Sequence, residues 1–185
     1  MTSEQRRLNA EKSLALASVL FPLEEWISTE ANIWVAKSRL VEEYREPKKW
    51  EREMSQVRIL TSRGSIAYFL PEIEIKGVTG KQFADLALNG EITEMKTVSG
   101  NRNTLGWDFK QGLKQGKAVI QDHPTITTHS VYVRLLSDFS IQSVKGKIAG
   151  ELKKRPINGY FICYFEHTGE LRTWSYDELR SIIGR

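Results

Sequence analysis

The sequence predicts an α/β chain: a mixed central sheet flanked by helices, with a helical extension at the N-terminus. Segments whose apolar residues recur at helical spacing interleave throughout with short runs that read as strands. Asn89-Gly90 stands between two apolar-rich runs, and both residues accept the positive φ of a two-residue hairpin turn. Pro47, Gly64 and His123-Pro124 close three of the helical segments.

Residues 3–20 read as a helix that Ser3 can cap, with Leu8, Leu14, Leu16, Val19 and Leu20 on its apolar side. Pro22 suits the start of a second helix running to about Arg45, on which Trp26, Ile27, Ile33, Trp34, Leu40, Val41 and Tyr44 recur. These two make an N-terminal helical region, residues 1–46, ahead of a domain spanning 47–185, with no low-complexity linker between them. A third helix fits 48–62. Ile66–Leu70 reads as a strand, followed by a Pro71–Gly80 loop and the Asn89-Gly90 hairpin. After a turn at Asn101–Thr104, a helix starts near Leu105, with Phe109, Leu113, Gly116 and Ile120 on its inner face. Ser130–Leu136 alternates like a strand, and 140–154 reads as a helix with a basic face. Tyr160–Phe165 and Glu170–Trp174 flank His167-Thr168-Gly169 as a second hairpin, and 176–183 forms a short last helix.

The 185 residues are 40% hydrophobic and 27% charged, the composition of an ordinary globular protein with a real core. No apolar run approaches the ~20 residues of a membrane span, and the first residues lack the apolar core of a signal peptide. A single cysteine, Cys163, excludes an intramolecular disulfide and fits a reducing compartment. The net charge of +4 is unevenly spread. Residues 97–117 carry +3, from Arg102, Lys110, Lys114 and Lys117 against Asp108, and residues 143–156 carry +4, from Lys145, Lys147, Lys153, Lys154 and Arg155 against Glu151. Two basic patches on a nearly neutral body suit a polyanionic partner, and each patch alone reads equally as a solvated helix face.

Counting outwards from Asn89-Gly90 pairs Leu88 with Glu91, Ala87 with Ile92, Leu86 with Thr93 and Asp85 with Glu94. Lys96 follows Glu94 on the same strand face. Two carboxylates so placed repel unless a cation intervenes, and hard oxygen donors suit Mg²⁺ or Mn²⁺. The expectation is a divalent-metal site with a lysine beside it; the plainer alternative is an incidental surface ion pair. On the preceding helix Glu53 shares a stripe with Val57 and Leu60, whereas Glu51 lies about 200° around the axis, so Glu53 is the inward acid. Downstream, Gln111 and Gln115 share a helix face near Lys114, and Thr97, Ser99 and the Arg102-Asn103 turn suit phosphate oxygens. Trp107 reads as a buried residue before a base-stacking one. His123, His129 and His167 have no zinc-like spacing, and there is no glycine-rich phosphate loop or nucleophile elbow.

Glu53, Gly64, the Ile66–Leu70 strand, Ala84-Asp85-Leu-Ala-Leu-Asn-Gly90, Glu94-Met-Lys96 and Gln115, in that order, resemble the PD-(D/E)XK nuclease superfamily. The nearest likeness is to the C-terminal nuclease domains of bacterial contact-dependent inhibition and other polymorphic toxins. The resemblance covers about residues 50–120, does not extend to 1–46, and departs at Ala84, where proline is usual. It implies a restriction-endonuclease-like sheet and a metal-dependent endonuclease. Asp85, Glu94, Lys96, Glu53 and Gln115 would be its catalytic residues, and Asp85, Glu94 and Glu53 its ligands for Mg²⁺ or Mn²⁺. It further implies nucleic acid as partner, RNA (transfer RNA) ahead of DNA, met by Arg102, Lys110, Lys114, Lys117, Lys153 and Lys154. A neutralising immunity protein, action in the cytoplasm and delivery within a larger secreted toxin belong to the same resemblance. A DNA endonuclease of the same fold and a non-catalytic nucleic-acid-binding or assembly protein stay open as alternatives.

Overall fold

Helix α1 (Ser3–Leu20) begins where the Thr2 hydroxyl accepts a hydrogen bond from the Gln5 amide at 3.1 Å. In the computed structural model, residues 1–72, 84–153 and 155–182 are described. Most of the Pro71–Gly80 loop and Lys154 lie outside them. The chain divides into two units, Met1–Ile92 and Thr93–Arg185. It is α/β, with strands of mixed direction and helices packed against them, as the interleaved sequence pattern predicts.

In the first unit, α1 turns an unexpected side inward. Asn9, Ser13, Ala17 and Leu20 are buried, while Leu8, Leu14 and Val19 are exposed. The small face fits because the helix comes close to the hairpin turn: Ser13 Oγ accepts from the Gly90 amide at 2.8 Å, and a Cβ at Gly90 would stand 2.6 Å from Lys12 Cβ.

The helix expected over 22–45 does not form. Strand β1 (Trp26–Glu30) and strand β2 (Ile33–Ala36) pair antiparallel there, Ile27 opposite Val35 and Ser28 opposite Trp34. Trp26, Ile27, Thr29, Ile33, Trp34 and Val35 are β-branched or aromatic, and Asn32, at φ 66°, turns the chain between the two runs. Their helical spacing coincides with a period of two: Ile33 and Val35 are buried, and Trp34 between them stacks on Tyr68 at 5.0 Å. A single 3-10 turn (Lys37–Arg39) and the short α2 (Glu42–Arg45) follow.

Helix α3 (Pro47–Thr61) begins on its proline and buries Trp50, Glu53, Met54, Val57 and Leu60. The chain reverses at Gly64, φ 95°, into β3 (Ala67–Phe69), which lies parallel to β2 and antiparallel to β4 (Leu86–Leu88). Asn89 and Gly90 then adopt φ of 52° and 88°, the conformation that the hairpin prediction required. Asn89 has a second duty, its Oδ1 accepting from the Ile66 amide at 2.8 Å and its Nδ2 donating to Ser65 Oγ at 3.2 Å. Strand β5 (Glu91–Val98) opens here and supplies the first residues of the second unit.

The second unit is built around α4 (Arg102–Asp122), whose first amides donate to the Asn101 side chain. Leu105, Phe109 and Leu113 bury against β6 (His129–Leu135) and β7 (Tyr160–Phe165), with the Phe109 and Phe161 rings edge to face at 5.4 Å. Strands β6 and β7 are parallel, so the chain must cross over between them, and α5 (Ile141–Leu152) makes that crossing. Strand β8 (Glu170–Ser175) returns antiparallel to β7, and α6 (Tyr176–Ser181) starts on a capping box of Ser175 and Glu178. No helix among the described residues is long and apolar enough to cross a membrane.

Gly116 of α4 lies directly on the His129 ring: a Cβ there would fall 1.9 Å from a ring carbon. His129 is fully buried, and neither ring nitrogen has a hydrogen-bond partner among the described residues. Burial lowers its pKa to about 4. The unfolded chain therefore binds a proton between about pH 6.5 and 4 that the folded one refuses, and stability falls as pH drops through that window. The loss amounts to about 3 kcal/mol at the acid end. In urea titrations at pH 7 and pH 4.5, His129→Leu should lose less stability on acidification than the wild type. Equal losses would remove His129 as the cause.

Candidate functional site

Alternation along β5 sets Glu94 and Lys96 on one side of the strand, and α4 brings Gln115 to them. Lys96 Nζ donates to Glu94 Oε1 at 2.6 Å and to Gln115 Oε1 at 2.8 Å. The Glu94 side chain is 3% exposed and that of Lys96 is 21% exposed, so a buried carboxylate pairs with a lysine that is partly open to solvent. Gly112 packs close to Val131 and beside the Glu94 stem; a Cβ there would stand 3.1 Å from Val131 Cγ2 and 3.4 Å from Glu94 Cγ. Asp108, also on α4, has its pKa raised by burial, against the opposing pull of Lys96. The three downstream residues singled out in the sequence thus form one cluster within the second unit. An ammonium fixed by two oxygens can hold its remaining hydrogen toward a phosphate oxygen or a water.

The first unit gathers the other two candidates around a residue that the sequence reading passed over. Arg39, 2% exposed, donates from Nη2 to Glu53 Oε2 at 2.8 Å. Its Nη1 donates to the Leu70 carbonyl at 2.8 Å and reaches the Asp85 carbonyl at 3.4 Å. The guanidinium lies over the Phe69 ring, 5.0 Å from its centroid. Arg39 therefore ties α3 to the segment that presents Asp85. In the sequence it is one of two cations, Lys37 and Arg39, between Val35-Ala36 and Leu40-Val41. Glu53 points inward as its stripe predicts, while Glu51 is exposed and bonds Arg58 at 2.6 Å.

Glu42 and Glu72 join this cluster, each 3.6 Å from Arg39, and Lys49 pairs with Glu72. Carboxylate oxygens of Glu42, Glu53 and Glu72 lie within 4.8 Å of one another. Burial drives the Glu42 and Glu53 carboxyls upward against the pull of Arg39, and the Asp85 charge adds to the rise at Glu53. Three acids face two cations here, Arg39 and Lys49. A hard divalent ion suits that donor set, with Glu53 already holding one bond to Arg39.

The basic patches are less uniform than their sequence suggests. Glu151 collects Lys147 at 3.2 Å, Arg155 at 3.5 Å and Lys110 at 3.9 Å, so much of the second patch is balanced within the fold. Arg102, Lys114, Lys117 and Lys153 are exposed; Lys154 lies outside the described residues. Trp107 is 57% exposed, against the expectation of burial, because it sits on the α4 face turned away from Leu105, Phe109 and Gly112. No protein family, no curated protein and no solved structure matches this chain.

Proposed function

We propose that the protein is a Mg²⁺- or Mn²⁺-dependent endonuclease that hydrolyses phosphodiester bonds, with RNA (transfer RNA) as its substrate, like the toxin nucleases that its sequence resembles. The observation that carries this reading is the Glu94–Lys96–Gln115 cluster: a buried carboxylate, an ammonium anchored 2.6 Å from it and an amide holding that ammonium in place. Glu94 offers a hard oxygen to a divalent ion, and Asp85 and Glu53 offer the same donor type in the first unit. When bound, such an ion neutralises phosphate charge and lowers the pKa of water. Lys96 places positive charge where charge develops on the scissile phosphate, and Gln115 Oε1 holds the Lys96 ammonium in position. Exposed Arg102, Lys114, Lys117 and Lys153 meet backbone phosphates without reading sequence. An immunity protein that covers this surface, action in the cytoplasm and delivery by a larger toxin belong to the same proposal.

Incubating purified protein with total RNA and with plasmid, each with Mg²⁺ and with EDTA, tests it. Discrete RNA fragments that vanish with EDTA are the expected result. Cutting of plasmid alone would move the substrate to DNA. No cleavage of either would leave the fold a nucleic-acid-binding or assembly protein.

A further inference from the structure

The α4 helix has two polar sides with different tasks. Gln115 and Asp108 lie toward Lys96. On the adjoining stripe, Asn103, Trp107, Gln111 and Lys114 succeed one another at four- and three-residue steps, with Lys117 and Lys110 along its edge. Trp107 exposes more than half of its surface there, and no carboxylate shares the stripe before Asp122.

We infer that this face of α4 is a platform for unpaired nucleotides, Trp107 stacking on a base while Lys114 and Lys117 meet the flanking phosphates. The inference rests on the nuclease reading and narrows its substrate to single-stranded segments or loops. Lysines alone serve any polyanion, duplexes included. An indole face has a different requirement: it stacks only on a base whose own face is free, which a paired base inside a duplex does not offer. A protein partner is the poorer match, since lysine is depleted at the centres of protein interfaces and here lysines flank the ring. Trp107 and Gln115 are separated by about 12 Å of helix rise, which a few nucleotides of strand cover. A base held at Trp107 would thus leave a neighbouring phosphodiester within reach of Lys96.

Fluorescence anisotropy in EDTA, where no cleavage is expected, tests this with three labelled probes: oligouridylate, oligothymidylate and a mixed-sequence duplex. Trp107→Ala should lose about ten- to hundredfold in affinity for both single strands and leave the duplex unchanged. Trp107→Phe should retain most of the affinity. Tighter binding of oligouridylate than oligothymidylate would assign the platform to RNA, and the reverse to DNA. Lys114→Glu should weaken all three probes and shallow the log–log salt slope by about 0.7–0.9. Far-ultraviolet circular dichroism checks that each variant is folded. Unchanged single-strand affinity in Trp107→Ala, or an equal loss on the duplex, overturns the platform while leaving the nuclease proposal intact. A wild type that binds none of the three probes and cleaves nothing overturns both.

Discussion

Lys96→Ala is expected to lower the rate of RNA cleavage by about a hundred- to thousandfold while leaving nucleic-acid affinity and the fold in place. The magnitude is that of removing one preorganised charged donor from a developing oxyanion. The variant keeps its fold because the Lys96 side chain is partly exposed and is not among the residues of the apolar core. It does release Glu94, whose buried Oε1 then loses a charged partner at 2.6 Å, so a modest stability loss accompanies the kinetic one. Lys96→Arg separates charge from geometry: the guanidinium keeps the charge but does not reproduce the ammonium's position between Glu94 and Gln115, and activity should stay low. Single-turnover cleavage beside equilibrium binding provides the readout. A Lys96→Ala protein that cleaves like the wild type would reduce the Lys96–Glu94 contact to a structural ion pair.

Arg39→Met should be the most destabilising single substitution in the first unit, by about 3–5 kcal/mol. It removes a buried cation that bonds Glu53 and two backbone carbonyls, leaving the Glu53 carboxylate charged, desolvated and close enough to Asp85 to feel its charge. The effect has a sign in pH. Glu53 is already raised above the ordinary carboxylate range by burial, and Arg39 opposes that rise more strongly than Lys49 does. Without Arg39 the folded state binds the Glu53 proton still more tightly, and that binding stabilises the variant at low pH and is lost as pH rises. The gap from wild type should therefore be widest near about pH 8 and narrow toward about pH 5. A second change, Glu53→Leu, should recover much of the loss, because an apolar pair can replace a buried ion pair at little cost. Chemical denaturation of the wild type and the two variants at both pH values gives the comparison. An Arg39→Met protein as stable as wild type at pH 8 would mean that solvent reaches Glu53 freely.

The sequence was most legible where structure is set by near neighbours. Asn89-Gly90 specifies its turn through two residues that tolerate positive φ, and the turn forms with both there. Glu53 and Glu51 separate cleanly because a 3.6-residue period alone decides which faces inward. Lys96 and Gln115 meet because β5 and α4 are both regular and short of irregular chain between them. Residues 22–45 misled because their aromatic spacing satisfies two periods at once, and the single positive φ at Asn32 decides between them. The inward face of α1 was hidden for a related reason: close approach to a turn selects small side chains, whereas an apolar count selects Leu8, Leu14 and Val19. Arg39 was not legible at all, since its partners lie 14, 31 and 46 residues downstream and only the folded chain assembles them.

The most direct measurement is restoration of cleavage to metal-stripped protein. Purified wild type and Glu94→Gln, treated with EDTA and dialysed, are each titrated with Mn²⁺ in the presence of total RNA, with metal binding followed in parallel by calorimetry. Glu94→Gln keeps the side chain's shape and a hydrogen-bonding oxygen but removes the charge that a hard cation needs. Saturable recovery of cleavage in the wild type, with neither recovery nor comparable Mn²⁺ binding in Glu94→Gln, is the expected result. Cleavage that survives chelation, or equal Mn²⁺ binding and equal recovery in both proteins, would contradict a metal-dependent site at Glu94.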